Sequence, residues 1–384
     1  MSSALQTATV AQAVPLLQPL TFVQPGRIEY GANKARRLAD FVPRWAEKRV
    51  LVVADAFNAG RADLLALPGQ SHIFSEVKPE PDLPNLERLI DQAKAFAPDV
   101  IVGFGGGSAM DLAKLAAVLC GSTQKFRDIV GVDKAEARGC MLVAIPTTAG
   151  TGSEVGARAL ITDPASKAKL AADSRHMVAD IAIVDPEMTT SLPAAVTAAT
   201  GIDALAHCVE AFTSRRSHPL VDLYAREGIS LVGRYLARAV ADGSDVEARA
   251  GLAMAALYGG FCLGPVNTTA GHALSYPLGT RFGVPHGLAN AVIFPHTLAF
   301  NAPVRPEKSQ LVAELLGIAG GDLRAASYDY CAGLGVEMQM GKLGVSETDL
   351  PSMAQEAHAI RRLLDHNPRD MSVADIVQIY RAAL

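Results

Sequence analysis

Asp203 and His207 stand four positions apart in an apolar, alanine-rich stretch, Thr200-Gly-Ile-Asp-Ala-Leu-Ala-His-Cys-Val-Glu-Ala-Phe212. At 3.6 residues per helical turn, positions i and i+4 share a face, so this carboxylate and imidazole project side by side. Downstream, Ala270-Gly-His-Ala-Leu-Ser-Tyr-Pro-Leu-Gly279 supplies His272, and Gly283-Val-Pro-His-Gly-Leu-Ala-Asn290 supplies His286. One carboxylate and three imidazoles suit a divalent transition metal, with a position left for a substrate oxygen. The plain alternative is that each histidine is a core residue satisfied by a neighbour. All three lie in segments almost devoid of charge, where an unpaired buried polar group is costly and needs a partner.

A second set of residues could hold a dinucleotide. Gly103-Phe-Gly-Gly-Gly-Ser-Ala-Met-Asp-Leu-Ala-Lys114 follows a strand-like run and opens a helix-like one. Gly105, Gly106 and Gly107 let a ligand approach the backbone without Cβ obstruction, and Ser108 stands where the helix begins. Free N–H groups and the positive dipole end at a helix N-terminus suit a pyrophosphate. The stretch is not G-x-G-x-x-G, because position 108 is Ser, and not a Walker A loop, because no G-K-[ST] follows. Ser108 and Asp111 also fit a capping box, and Asp111 and Lys114 an i,i+3 ion pair, so both have a structural reading.

Ile145-Pro-Thr-Thr-Ala-Gly-Thr-Gly-Ser-Glu154 is a second loop of the same character. Its hydroxyls, from Thr147, Thr148 and Thr151, can bond phosphate or ribose; the bland reading is a Thr/Gly-rich turn. Two such loops after two parallel strands are more telling, since ligands of open α/β sheets bind at the carboxyl ends of strands. Asp55 closes the run Arg49-Val-Leu-Val-Val-Ala-Asp55. There it can accept from a ribose diol and would repel a 2′-phosphate, favouring NAD over NADP, although strand-end acids also cap helices.

The elements that must position these residues change character midway. A strand at 21–25, a short strand within 26–31 and a helix across 33–47 precede the alternation. Strands at 49–55, 71–77, 99–104, 141–145 and 180–184, with helices at 84–97 and 109–120, predict a mainly parallel, Rossmann-like, doubly wound sheet. From about 187 only helices are read, at 194–213, 219–239, 245–263, 309–319, 324–335, 349–364 and 372–383. The expected division is a flexible extension over 1–20, a dinucleotide-binding α/β domain over 21–186, and an all-helical metal-binding domain over 187–384.

With 384 residues, 49% hydrophobic and 19% charged, the chain is long for a single core and rich enough to fill two. Its formal charge of −4 and the lack of a basic cluster argue against a nucleic-acid partner. Five scattered cysteines without C-x-x-C fit a reducing cytoplasm and argue against both a disulfide framework and a thiolate zinc site. The uncharged run 251–280 is long enough for a membrane span, but Gly259, Gly260, Gly264, Pro265, Gly271 and Pro277 interrupt it, and buried helices explain it better.

Together these motifs resemble the iron-containing (group III) alcohol dehydrogenases of the dehydroquinate-synthase-like fold. The match runs from about Thr21 to the C-terminal region and rests on the 105–114, 146–154 and 200–207 motifs with His272 and His286. The resemblance implies that Asp203, His207, His272 and His286 hold Fe²⁺, with Zn²⁺ in some members. It implies that Gly105, Gly106, Gly107 and Ser108 cradle the NAD pyrophosphate, and it extends the cofactor set to Asp111. Thr147, Thr148 and Thr151 would line the nicotinamide side, Asp55 the adenosine ribose and Lys169 the nicotinamide ribose. A small primary alcohol or aldehyde is the implied substrate, and a homodimer, joined by an edge strand near residues 21–30, the implied assembly.

Two positions depart from the family pattern. Tyr276 stands where a second histidine often follows the third ligand by four residues; a phenol titrates near pH 10, which puts a histidine proton relay in doubt. Arg158 stands where many members carry a small or neutral residue. Facing the pocket it would favour an anionic substrate; the competing reading pairs it with an acidic neighbour. Behind the dehydrogenase reading stand a maleylacetate-reductase-type oxidoreductase, a dehydroquinate-synthase-like lyase that returns NAD unchanged, and a non-enzymatic binder.

Overall fold

The computed structural model describes residues 17–166 and 168–384. In chain order its strands are β1 (Arg27–Tyr30), β2 (Val50–Val53), β3 (Ser71–Phe74), β4 (Val100–Gly105), β5 (Gly131–Val132), β6 (Met141–Pro146), β7 (Arg158–Asp163), β8 (Ala168–Asp173) and β9 (Ile181–Val184). Six of them form one all-parallel sheet in the order β1-β9-β6-β4-β2-β3. Runs such as Val50-Leu-Val-Val53 and Ile181-Ala-Ile-Val184 are buried throughout, as a sheet covered on both faces requires. The longer helices of this half are α1 (Leu83–Phe96) and α2 (Gly107–Leu119). Leu112, Leu115 and Leu119 of α2 pack with Leu86 and Leu89 of α1 on one face of the sheet.

All described residues beyond β9 are helical or irregular. The longer helices are α3 (Ala194–Thr213), α4 (Pro219–Ala241), α5 (Val246–Leu263), α6 (Ala270–Phe282), α7 (His286–Asn301), α8 (Pro306–Leu315), α9 (Leu323–Gly333), α10 (Leu350–His358) and α11 (Val373–Ala383). α3 is buried at every position from Gly201 to Thr213, so its polar residues face protein on all sides. Among the described residues no helix is long and apolar enough to cross a membrane.

Three expectations need correction. Residues 21–25 form no strand; instead Phe22 stacks on Tyr224 of α4, with ring centroids 5.9 Å apart. The helix across 33–47 is broken into short pieces around Pro43, with Arg44 in the left-handed region at φ 54°. Finally, β7 and β8 form an antiparallel hairpin, joined by β5 in a separate three-stranded sheet, where no strand was foreseen. The expected extension over 1–20 lies outside the described residues up to position 16.

Candidate active site

The carboxyl ends of β4 and β6 open into a cleft of about 350 Å³ whose far wall is helical. At the near end, Gly106 is the N-cap of α2 and makes no side-chain cap bond. Ser108 is therefore inside the first turn rather than capping it, and the capping-box reading fails. The Ala109 and Met110 amides already donate to the Gly106 carbonyl, whereas those of Gly107 and Ser108 at the very start of α2 have no backbone acceptor, and Gly106, Gly107 and Ser108 line the cleft. A Cβ on Gly107 would stand 2.8 Å from Thr151 Cγ2, so the two loops meet only because that atom is missing. A bare backbone cradle with free N–H groups fits a pyrophosphate.

Thr148, Thr151, Asp111 and Lys169 also line the cleft, whereas Gly105, Thr147 and Asp55 stand behind its surface. Asp55 caps the short helix after β2, with both oxygens on Asn58, at 3.0 and 2.6 Å, and Asn58 in turn donates to Thr147 Oγ1. The Asp111 oxygens accept from Ser153 Oγ (2.7 Å) and Leu160 N (3.0 Å). Lys114, 3.7 Å from Asp111, donates to Ser153 Oγ and to the Arg158 carbonyl. These bonds tie the cradle helix to the second loop and the hairpin.

At the far end, α3, α6 and α7 bring four predicted residues to one point. Asp203 Oδ1 lies 3.9 Å from His207 Nε2, 3.6 Å from His272 Nε2 and 3.6 Å from His286 Nε2. Asp203, His207 and His272 are almost wholly buried. His207 Nδ1 bonds the Gly150 carbonyl (3.3 Å) and His272 Nδ1 the Glu210 carboxylate (2.6 Å), turning both Nε2 atoms toward Asp203. Burial holds His207 below its ordinary value and His286 down at about 4, leaving lone pairs free. For His272, burial is outweighed by Glu210 and Asp203, which raise it to about 10. The same histidines, against the cost of burial, keep Asp203 far below the ordinary carboxylate range. Three imidazole nitrogens around one ionised oxygen are the donor set a divalent cation satisfies, and a cation arriving would displace the His272 proton.

Two residues of this cluster were missed in the sequence. Glu210, seven positions after Asp203 and thus on the same helix face, also accepts from Thr269 N and Oγ1, pinning the start of α6 to α3. Asn290, four positions after His286, donates from Nδ2 to Asp203 Oδ1 at 2.6 Å, while its own Oδ1 is buried without a partner. Both spacings were readable.

The wall between the two ends is ionic. Arg158 lines it, but its Nε and Nη2 sit on Asp173, directly opposite on the hairpin, and its Nη1 on Asn267 Oδ1. Lys169 is paired with Glu80, and its ammonium stands 5.5 Å from the Tyr276 ring. Tyr276 lines the cleft 6.1 Å from the His286 ring, and its hydroxyl accepts from Arg362 at 3.3 Å. Burial alone would raise this phenol; the cations Arg362, His272 and Lys169 bring it below its ordinary value.

A parallel sheet presenting a backbone cradle, across a cleft from a carboxylate–imidazole cluster on helices, is the architecture of a metal-assisted dehydrogenase. Comparison with known proteins narrows the class. Residues 25–186 match the family model described as iron-containing alcohol dehydrogenase, and residues 197–384 that of the Fe-containing alcohol dehydrogenase family, C-terminal. The chain is 37% identical to long-chain-alcohol dehydrogenase 1 of Geobacillus thermodenitrificans, over 94% of this chain and 96% of that one. It is 32% identical to the NAD-dependent methanol dehydrogenase of Bacillus methanolicus, over 94% and 99%. The solved structure of sulfoacetaldehyde reductase from Bifidobacterium kashiwanohense in complex with NAD+ superposes with a TM-score of 0.87 at 27% identity, over 95% and 99%. The chain belongs to the iron-containing alcohol dehydrogenase family and is an oxidoreductase of the alcohol dehydrogenase class.

Proposed function

We propose that this enzyme interconverts a small, uncharged primary alcohol and its aldehyde, with NAD as hydride carrier and Fe²⁺ as the resident metal. The observation that carries this reading is the convergence of Asp203 Oδ1 and the three histidine Nε2 atoms in the cleft that begins at Gly106. A divalent ion held by these four residues supplies Lewis acidity toward a substrate oxygen, and a bound nicotinamide supplies the hydride acceptor or donor. The chain's own residues do the rest. The first-turn amides of α2 anchor the anionic part of the cofactor, with Thr148 and Thr151 beside them. Lys169 reaches the ribose side once it leaves Glu80. Tyr276 holds a proton at its hydroxyl beside the cluster, and the buried surroundings keep bulk water from the reacting atoms.

Arg158 favours the uncharged substrate rather than the anionic one. Its guanidinium already has the Asp173 carboxylate, and an anionic aldehyde would have to compete with that pair. The open edge strand β1 supports a homodimer, and the confinement of strands to residues before 186 supports a division there.

The test is NADH consumption by anaerobically purified protein, with and without Fe²⁺ or Zn²⁺, on matched neutral and anionic short aldehydes. Metal-dependent turnover with neutral aldehydes preferred is the expected result. A preference for the anionic members would reverse the role given to Arg158. Tight NAD and metal binding without net NADH loss would favour the lyase reading.

A further inference from the structure

Away from the cleft, the chain carries a pair of thiols that the dehydrogenase reaction does not use. Cys120 directly follows α2, the helix that begins in the glycine cradle, and Cys140 directly precedes β6, the strand that runs to the second loop. Both are half-buried. Their Sγ–H groups share one acceptor, the Ala117 carbonyl, at 3.9 and 3.7 Å, which brings the two thiols to the same point. Gly121 and Gly139, their chain neighbours, are exposed, with open space where a Cβ would stand. A small oxidant can reach this corner, and the adjoining backbone is free to adjust.

A second pair of thiols in the same chain provides the contrast. Cys208 and Cys262 belong to one core cluster, but both are fully buried between α3, α4 and α5. Cys331 is buried alone. Similar chemistry is thus present at two places, and only one of them meets solvent.

We propose that Cys120 and Cys140 are a reversible dithiol–disulfide site, oxidised by hydroperoxides and restored by an external dithiol. The Cys120 thiolate attacks the peroxide; an S–O bond forms, the O–O bond breaks, and the departing hydroxide takes up a proton as water. The sulfur of Cys140 then attacks Sγ of the resulting sulfenic acid. The S–S bond forms, the S–O bond breaks, and the hydroxide leaves as water with the Cys140 proton. Two thiols lose two electrons and two protons, and one hydroperoxide is reduced. The roles follow from the surroundings: the neighbouring Cys140 thiol, against partial burial and helped by the Cys120 and Gly121 amides, brings Cys120 down to about 7, whereas Cys140 is pushed up. The disulfide closes the segment 120–140, joining the ends of α2 and β6 that point away from the cofactor loops.

The test treats the metal-loaded protein with stoichiometric hydrogen peroxide, quenches with iodoacetamide, and maps peptides without reduction. The expected result is the loss of two of the five free thiols, recovered as one Cys120–Cys140 linked peptide and regained with dithiothreitol. Cys120→Ser and Cys140→Ser each abolish the linked peptide, while Cys208→Ser leaves it. The zinc-loaded protein gives the same product, which separates thiol chemistry from peroxide breakdown at iron. Retention of all five thiols, loss centred on Cys208 and Cys262, or oxidation only when iron is present would each overturn the proposal.

Discussion

The two walls of the cleft are built on opposite plans. The imidazole cluster sits on long helices, and its orientation is over-determined: His207 is held by Gly150, His272 by Glu210, and Asp203 by Asn290. The wall facing it sits on a short hairpin and consists of ion pairs, Arg158–Asp173 and Lys169–Glu80, whose members can each find another partner. On the proposed reading, the centre that binds one ion is built rigid, while the wall that admits cofactor and substrate is built from exchangeable charges. Substitutions should therefore act through metal occupancy at one side and through substrate choice at the other.

The largest effect is expected at the cluster itself. His286→Ala should reduce bound metal, read by elemental analysis, to background and lower turnover by about three orders of magnitude; full metal content with activity retained would remove His286 from the set. Next comes Glu210→Gln, which leaves the four donors in place but loosens His272. Metal affinity should fall about 10–100-fold, with Glu210→Asp intermediate, as expected of a partner that orients a ligand. Unchanged affinity would reduce Glu210 to a cap of α6.

Glu154, buried in the loop after β6, extends the contrast to stability. Burial raises its carboxyl from 4.5 to about 7. Below pH 4.5 it is neutral in both folded and unfolded chains and costs nothing. As pH rises toward 7 only the unfolded chain ionises, so folding stability falls, and above 7 the penalty stays constant at about 3 kcal/mol. Glu154→Gln should therefore be neutral at pH 4 and stabilising by about that amount at pH 8, as read by denaturant unfolding. A stabilisation independent of pH would contradict the assignment.

Smaller effects belong to the ionic wall. Asp173→Asn releases Arg158 and should shift kcat/KM toward anionic aldehydes by about tenfold relative to neutral ones. An equal loss on both substrates would mean that the pair serves only the hairpin. Tyr276→Phe should cost a few-fold in kcat without altering metal content, since the phenol contributes one hydrogen bond.

The sequence made the rigid half of this contrast more legible than the exchangeable half. The i,i+4 spacing of Asp203 and His207 in an uncharged stretch pointed to a shared face, and α3 has that face buried. The bounds of the helices carrying His272 and His286 are not legible in the sequence, because Pro277 and Pro295 lie inside them and proline ordinarily ends a helix. Both are accommodated within buried helices, where tertiary packing overrides the local preference. The hairpin escaped notice for a different reason: Ala168-Lys-Leu-Ala-Ala-Asp173 is composed of good helix formers, and only pairing with β7 makes it a strand. Glu80 gave no local cue at all. It reaches Lys169 from a distant loop, with its own backbone at φ 52°.

Gly152 and Gly260 add a last consequence. Gly152 is at φ 61°, and a Cβ there would lie 2.5 Å from the backbone of Gly260 on α5; one on Gly260 would lie 2.5 Å from the Gly152 carbonyl. The loop after β6, on the proposed cofactor side, and helix α5 thus touch main chain to main chain. The spacing between the two sides is fixed there by two hydrogens standing where methyl groups would be, and widening the mouth of the enzyme by one substitution would begin with either of them.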